Sequence, residues 1–205
     1  MWTAPSHGRV QVYLVPTLPP RDLGLEVRAM EQLAGKLNEE HELNYPVEHR
    51  DDLMVAMSAC QMDSKWVRGH FVAVHIVDEQ RVMVGPTTTV VNPTPPKHLG
   101  LVERVDSQII TFAWPEGMRQ VEAFQGPRGL QDIDLTLTEP LASVTRQDWL
   151  KLGGLHVTGG LPPNGCTLHL YGVVHHDALP HRSPPATLDY PGITRLRYRF
   201  DQVGS

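Results

Sequence analysis

The sequence is short of the residues that most readily supply covalent chemistry, membrane anchorage or a positive field. It has two cysteines, Cys60 and Cys166, one in each half of its 205 residues. A disulfide would have to join the halves rather than staple either one, so two free thiols are expected. Lysine and arginine number 18 against 23 aspartates and glutamates, a net charge of -5. Without a clustered positive field, neither a nucleic-acid backbone nor an anionic membrane is an expected partner. No run approaches the roughly 18–20 apolar residues that cross a bilayer. The opening Met1-Trp-Thr-Ala-Pro-Ser-His-Gly-Arg lacks the apolar core of a secretory signal, and a cytoplasmic location is the expectation. Aromatics make up 6% while 18 prolines and 17 glycines punctuate the chain. That balance disfavours a helical bundle and favours short strands joined by many turns.

What the chain does contain is an internal echo. A β-branched run ending in proline comes first, then a charged middle, then Phe71-Val-Ala-Val-His-Ile-Val and Val84-Gly-Pro-Thr-Thr-Thr-Val-Val. The same order returns as Ile109-Ile-Thr-Phe-Ala-Trp-Pro, a charged middle, Thr167-Leu-His-Leu-Tyr-Gly-Val-Val and Ser183-Pro-Pro-Ala-Thr-Leu-Asp-Tyr. Pairing Tyr13 and Pro16 with Phe112 and Pro115 needs an offset of 99, and pairing Val84 and Pro86 with Arg182 and Pro184 needs 98. A period of about a hundred residues is one small domain long. Two related domains are expected, over 1–95 and 99–205, separated by a stiff proline-rich linker at 92–98.

Within each half the apolar pattern has period two. Residues 11–15 read as a strand stopped by Pro16. In 70–77, Val72, Val74 and Ile76 share a face and should point to a core, and Asp78-Glu-Gln-Arg81 makes a polar hairpin connection to the strands at 82–84 and 87–91. Residues 24–37 fit a helical face and a strand about equally, with the repeat favouring a strand over 25–29. In the second half, Ile110, Phe112 and Trp114 share a face, with Trp114 the expected core anchor. Residues 118–125, 130–137, 155–157 and 166–174 also alternate as strands. Thr145 is placed to cap a short helical turn containing Trp149.

The segment Gly160-Leu-Pro-Pro-Asn-Gly-Cys-Thr-Leu-His-Leu-Tyr-Gly-Val, followed by Ser183-Pro-Pro-Ala-Thr, resembles a fibronectin type III domain, in which a Leu-Pro turn precedes an alternating strand and Ser-Pro opens the last one. Trp114 is similar to that family's core tryptophan. Trp114-Pro-Glu-Gly117 resembles the turn of divergent bacterial modules that occur in tandem. The first half matches through 12–16, 70–76 and Val84-Gly-Pro-Thr. The family's tyrosine near the start of the penultimate strand is missing at Cys166 and at His70. The resemblance implies an all-β chain of two tandem fibronectin type III or immunoglobulin-like β-sandwiches, which bind or space partners and share no active site.

Candidate chemistry is sparse. His175, His176 and His181, with Asp177, bring imidazole and carboxylate ligands within seven residues, as a zinc site would require. Neighbours on a strand point to opposite faces, however, and a polar hairpin loop is the plainer alternative. Asp132 and Asp134 could pair as acid and base, or lie on a solvated strand face. No Gly-x-Ser-x-Gly elbow occurs, and the glycine pairs lack the lysine of a phosphate loop. In Ile193-Thr-Arg-Leu-Arg-Tyr-Arg-Phe, Arg195, Arg197 and Arg199 alternate with Leu196, Tyr198 and Phe200. This is an anion or acidic-partner stripe, an edge strand guarded against aggregation, or the first strand of a further module. The expectation is a non-enzymatic interaction or spacer module with a protein partner and no cofactor. Its candidate binding residues are Arg195, Arg197, Arg199 and the aromatics Trp66 and Trp149, taken as exposed. The alternatives are a metal-dependent enzyme or metal-binding protein using the histidine-rich loop, and a structural subunit of a larger assembly. The oligomeric state is open.

Overall fold

A computed structural model describes residues 2–3, 5, 7–19, 27–29, 33, 37, 39–43, 47–50, 53–56, 62–63, 65–104 and 107–192. The arginine stripe at 195–199 and Cys60 lie outside the described residues, as does most of 24–37. The chain divides into two compact units, Met1–Asn92 and Pro93–Ser205.

The first unit contains β1 (Trp2–Thr3), β2 (Arg9–Val15), β3 (Val27–Ala29), β4 (Val47–Arg50), β5 (Leu53–Ala56), β6 (Arg68–Ile76) and β7 (Arg81–Val91). Two antiparallel sheets form, in orders β2-β6-β7-β3 and β1-β5-β4. Val72, Val74 and Ile76 are buried with Val15, Leu33, Val82 and Val84, as their alternation predicts. Asp78 makes the β6–β7 turn by accepting from the Gln80 and Arg81 amides and pairing with the Arg81 guanidinium. The strands expected separately at 82–84 and 87–91 are one strand, β7, kinked in its middle. The β6–β7 pairing runs to Val72↔Thr87 and resumes at Val74↔Val84, so Gly85 and Pro86 lie opposite Ala73 alone.

The second unit contains β8 (Lys97–Glu103), β9 (Gln108–Ala113), β10 (Gln120–Gly126), β11 (Ala142–Thr145), α1 (Arg146–Leu152), β12 (Leu155–Val157), β13 (Cys166–His176), β14 (Leu179–Arg182) and β15 (Ala186–Tyr190). One sheet is β12-β9-β8; the other is β11-β10-β13-β14, with β15 also on β13. Their facing sides close over Ile110, Phe112, Val121, Ala123, Leu155, Val157, Leu168, Leu170 and Tyr190. The Thr145 side chain accepts from the Asp148 amide, and α1 stops at Gly153, whose φ of 76° suits glycine. The largest fully buried side chain is Tyr190. Trp114 is only partly buried against this core, with its indole N–H donating to the Met118 carbonyl.

Three expectations change. Residues 130–137 form no strand: both neighbours of β10 are already taken, by β11 and β13, and Asp134 folds its own segment into a turn by accepting from the Thr136 amide and hydroxyl. β8 begins at Lys97, inside the stretch expected to be linker. The Pro16 and Pro115 landmarks also mark different strands. β2 pairs with β6, whereas β9 pairs with β8 and β12, so by its neighbours β2 matches β10. The second landmark does hold a common structure. Between Val173↔Arg182 and Leu170↔Ala186, Ser183, Pro184 and Pro185 lie opposite Tyr171 and Gly172. That is again one surplus residue in the closing strand, at the same place in the unit.

Candidate functional site

The outer face of a sandwich sheet ordinarily meets water, giving clean apolar-in, polar-out alternation. In β13 that alternation would put Cys166, Leu168 and Leu170 inside and Thr167, His169, Tyr171 and Val173 outside. Both sets are buried. Glu122 and Phe124 of β10 belong to the same outer face and are buried too.

The cover is the segment 127–141, which joins β10 to β11. A Cβ at Gly126 would come within 2.9 Å of Leu130 and 3.4 Å of Ile133, which places those two side chains against the end of β10. The Gly129 amide donates to the Thr167 hydroxyl at 2.8 Å, and the Leu141 amide donates to the Ala123 carbonyl at 2.8 Å. Between these tethers there is neither helix nor strand.

Beneath and beside the cover, polar groups are paired with one another. The Arg182 Nε donates to Glu122 at 2.7 Å, while the Gln120 amide donates to the other Glu122 oxygen. The same guanidinium lies 5.6 Å from the Phe124 ring centre, and Phe124 meets Tyr171 edge to face at 5.5 Å. The Thr167 hydroxyl donates to Asp189 at 2.7 Å. Burial, reinforced by the Asp132 carboxylate, pushes the Tyr171 phenol above its usual range. His169 stands apart: it is fully buried, and neither ring nitrogen has a hydrogen-bond partner. Burial holds its pKa below the usual value, outweighing Asp132, the Leu130 backbone and Asp189, which favour the cation.

The residues singled out from the sequence fall elsewhere. Trp149 is half-buried, not exposed: it packs beside Trp114 at 5.7 Å and Phe112 at 6.1 Å as a lid on the core. Trp66 is half-buried, with its ring edge-on to His41. On the β13–β14 hairpin, Val174↔His181 and His176↔Leu179 share one face while His175↔Pro180 takes the other. His176 and His181 therefore approach, with ring centres 6.1 Å apart, and His175 is turned away from both. Among the described residues no three His, Cys, Asp or Glu side chains gather as a metal shell. Asp132 and Asp134 lie in the cover, not on a strand, and Asp134 is held as the carboxylate by its Thr136 hydrogen bonds. Cys166 is a buried free thiol whose pKa is raised by burial, then by Asp189. Tyr190 supplies a buried phenol hydrogen bond by donating to Glu103 at 2.7 Å. Glu122, Phe124, His169, Arg182 and Asp189 were not singled out. Their one signal was the polar half of β10 and β13, which reads as a solvated face.

Two units in sequence, each built of two antiparallel sheets, define a tandem β-sandwich module. The chain belongs to the fibronectin type III family: the model for the fourth fibronectin type III domain of SaeA matches residues 1–88 and that for the fifth matches 96–189. Over 202 residues it is 28% identical to the "Putative ESX-1 scaffolding and assembly protein SaeA" of Mycolicibacterium smegmatis strain ATCC 700084 / mc(2)155, and likewise to that of strain MKD8. The match takes in 96% of this chain and 29% of each relative, so the chain spans less than a third of their length.

Proposed function

We propose that the chain is a non-enzymatic scaffold segment in which two fibronectin type III units carry and space protein partners, by analogy with relatives named for ESX-1 scaffolding and assembly. One observation carries this reading. In the second unit the outer-face carboxylates Glu122 and Asp189 are engaged by Arg182 and Thr167 beneath or beside a cover, while that cover turns Leu137 outward at 85% exposure. Polar groups tied to one another serve architecture, which leaves the apolar side chains that the cover exposes, Leu137 and Leu130, as its contact surface in this reading. The partner is a protein component of the same assembly, and the site of action is the cytoplasm. The alternating Arg195, Arg197 and Arg199 favour an acidic surface as a second point of contact.

Co-purification from cells expressing the protein, with cross-linking and quantification of each retained partner, tests this. Leu137→Asp should lose at least one specific partner while unfolding at the wild-type temperature, and changing Arg195, Arg197 and Arg199 to Glu should lose the acidic contact. Retention of every partner by both variants would refute the interaction role.

A further inference from the structure

A buried imidazole with two unpaired nitrogens is destabilised relative to a satisfied one. His169 bears that cost at the centre of the covered face, opposite Phe124 on β10 and Thr187 on β15. Its burial depends on the 127–141 segment, which is neither helix nor strand, has the two backbone tethers described above and rests on the Leu130 and Ile133 side chains. Against the cost of burial, a cation there would find only the Leu130 backbone, which belongs to the cover itself, and the Asp132 and Asp189 carboxylates.

We propose that residues 127–141 form a pH-sensitive cover, closed over neutral His169 and released when the imidazole takes up a proton. Release uncovers Phe124, Tyr171 and His169 together, turning a paired and sealed face into an aromatic, positively charged one. The charged and titratable groups around the imidazole come from every neighbouring element. They are Asp132 on the cover, Asp189 on β15, the Glu122–Arg182 pair on β10 and β14, and Tyr171 two residues along β13. Asp132 and Asp189 favour the cation and so oppose release. Burial outweighs them, and the shift is downward.

The sign follows from linkage. The open state titrates near the ordinary 6.5 and the closed state below it, so the open state binds more protons in that window. Closure is therefore fully stable above pH 6.5 and weakens as the pH falls towards the closed-state value. Between roughly pH 7.5 and 5.5 the open fraction should rise, and by no more than about tenfold, the change in the open state's own protonation.

Hydrogen exchange of the whole chain, with amide protection corrected for the intrinsic pH dependence, tests the cover. The expected result is a loss of protection across 128–141 at the lower pH, up to about tenfold, with β9 amides such as Ile110 unchanged. His169→Phe and His169→Leu should abolish the pH dependence, and Asp132→Asn should deepen it, because a carboxylate that favours the closed-state cation is gone. The wild-type imidazole, followed by NMR, should titrate below the ordinary value of 6.5. Three results would overturn the proposal: protection that does not change with pH, an equal loss in either folded His169 variant, or a parallel loss in β9, which would signal global unfolding.

Discussion

Removing the Arg182 side chain tests whether the outer face of the second unit is an interior. In Arg182→Ala, Glu122 keeps its Gln120 hydrogen bond at 3.0 Å but loses the 2.7 Å bond from a guanidinium whose side chain is 26% exposed, while its own is 9% exposed. Breaking a fully buried pair costs about 3–5 kcal/mol. The surviving amide and the partly exposed arginine reduce this to about 2 kcal/mol, and loss of the cation over Phe124 adds about 0.5–1 kcal/mol. The expected destabilisation is about 3 kcal/mol, a fall in Tm on the order of 12–20 °C for a domain of this size. Urea unfolding by tryptophan fluorescence reads it cleanly in a Trp2→Phe, Trp66→Phe background, where Trp114 and Trp149 report on the second unit alone. The paired change Glu122→Gln with Arg182→Met should recover most of the loss, because no carboxylate is left stranded. A cost below about 0.5 kcal/mol for Arg182→Ala, the value of a solvated pair, would refute the enclosed face.

Trp149→Ala should cost the second unit about 3–4 kcal/mol in the same assay, whereas Trp149→Phe should cost far less, since the indole N–H has no partner to lose. Cys166 should resist a thiol reagent in the native protein and react at the rate of unfolding, as burial keeps it a protonated thiol. The Tyr190 phenol is pushed up from 10.0 to about 12, first by burial and then by its hydrogen bond to Glu103. Its contribution is therefore complete below pH 10 and is lost as the pH rises towards 12. Tyr190→Phe should flatten that alkaline decline while costing about 1 kcal/mol at neutral pH.

Period-two patterning made the sandwich legible because the strands that line its two cores bury only one kind of residue inward, as Val72, Val74 and Ile76 do. The same rule misled at 130–137, where Ile133, Leu135 and Leu137 alternate with aspartate and threonine. Alternation reports a two-sided environment, and a segment draped over a sheet also has two sides. Trp149 shares a seven-residue helix with Leu150 and Leu152, both of them exposed, so nothing local marks it, rather than them, as facing a core supplied by β9. The covered face was illegible for a related reason. Thr167, His169 and Tyr171 on the outer side of β13 look like residues meant for water until the chain between β10 and β11 is seen to lie across them. Burial of that kind is decided by a long-range contact, which no local pattern encodes.

The surplus residue in each closing strand has a bearing on ancestry. Regular antiparallel pairing arises wherever two such strands meet and so says little about descent. An extra residue opposite Ala73 in one unit and opposite Tyr171 and Gly172 in the other is not required by the sheet. Deleting it would turn every later side chain to the wrong face, so once acquired it is hard to lose. The second unit even repairs the gap without the amides that Pro184 and Pro185 lack, through the Ser183 hydroxyl accepting from the Gly172 amide. A shared irregularity that selection cannot easily erase is the mark expected of one gene segment copied in tandem, after which the connecting segments were free to diverge.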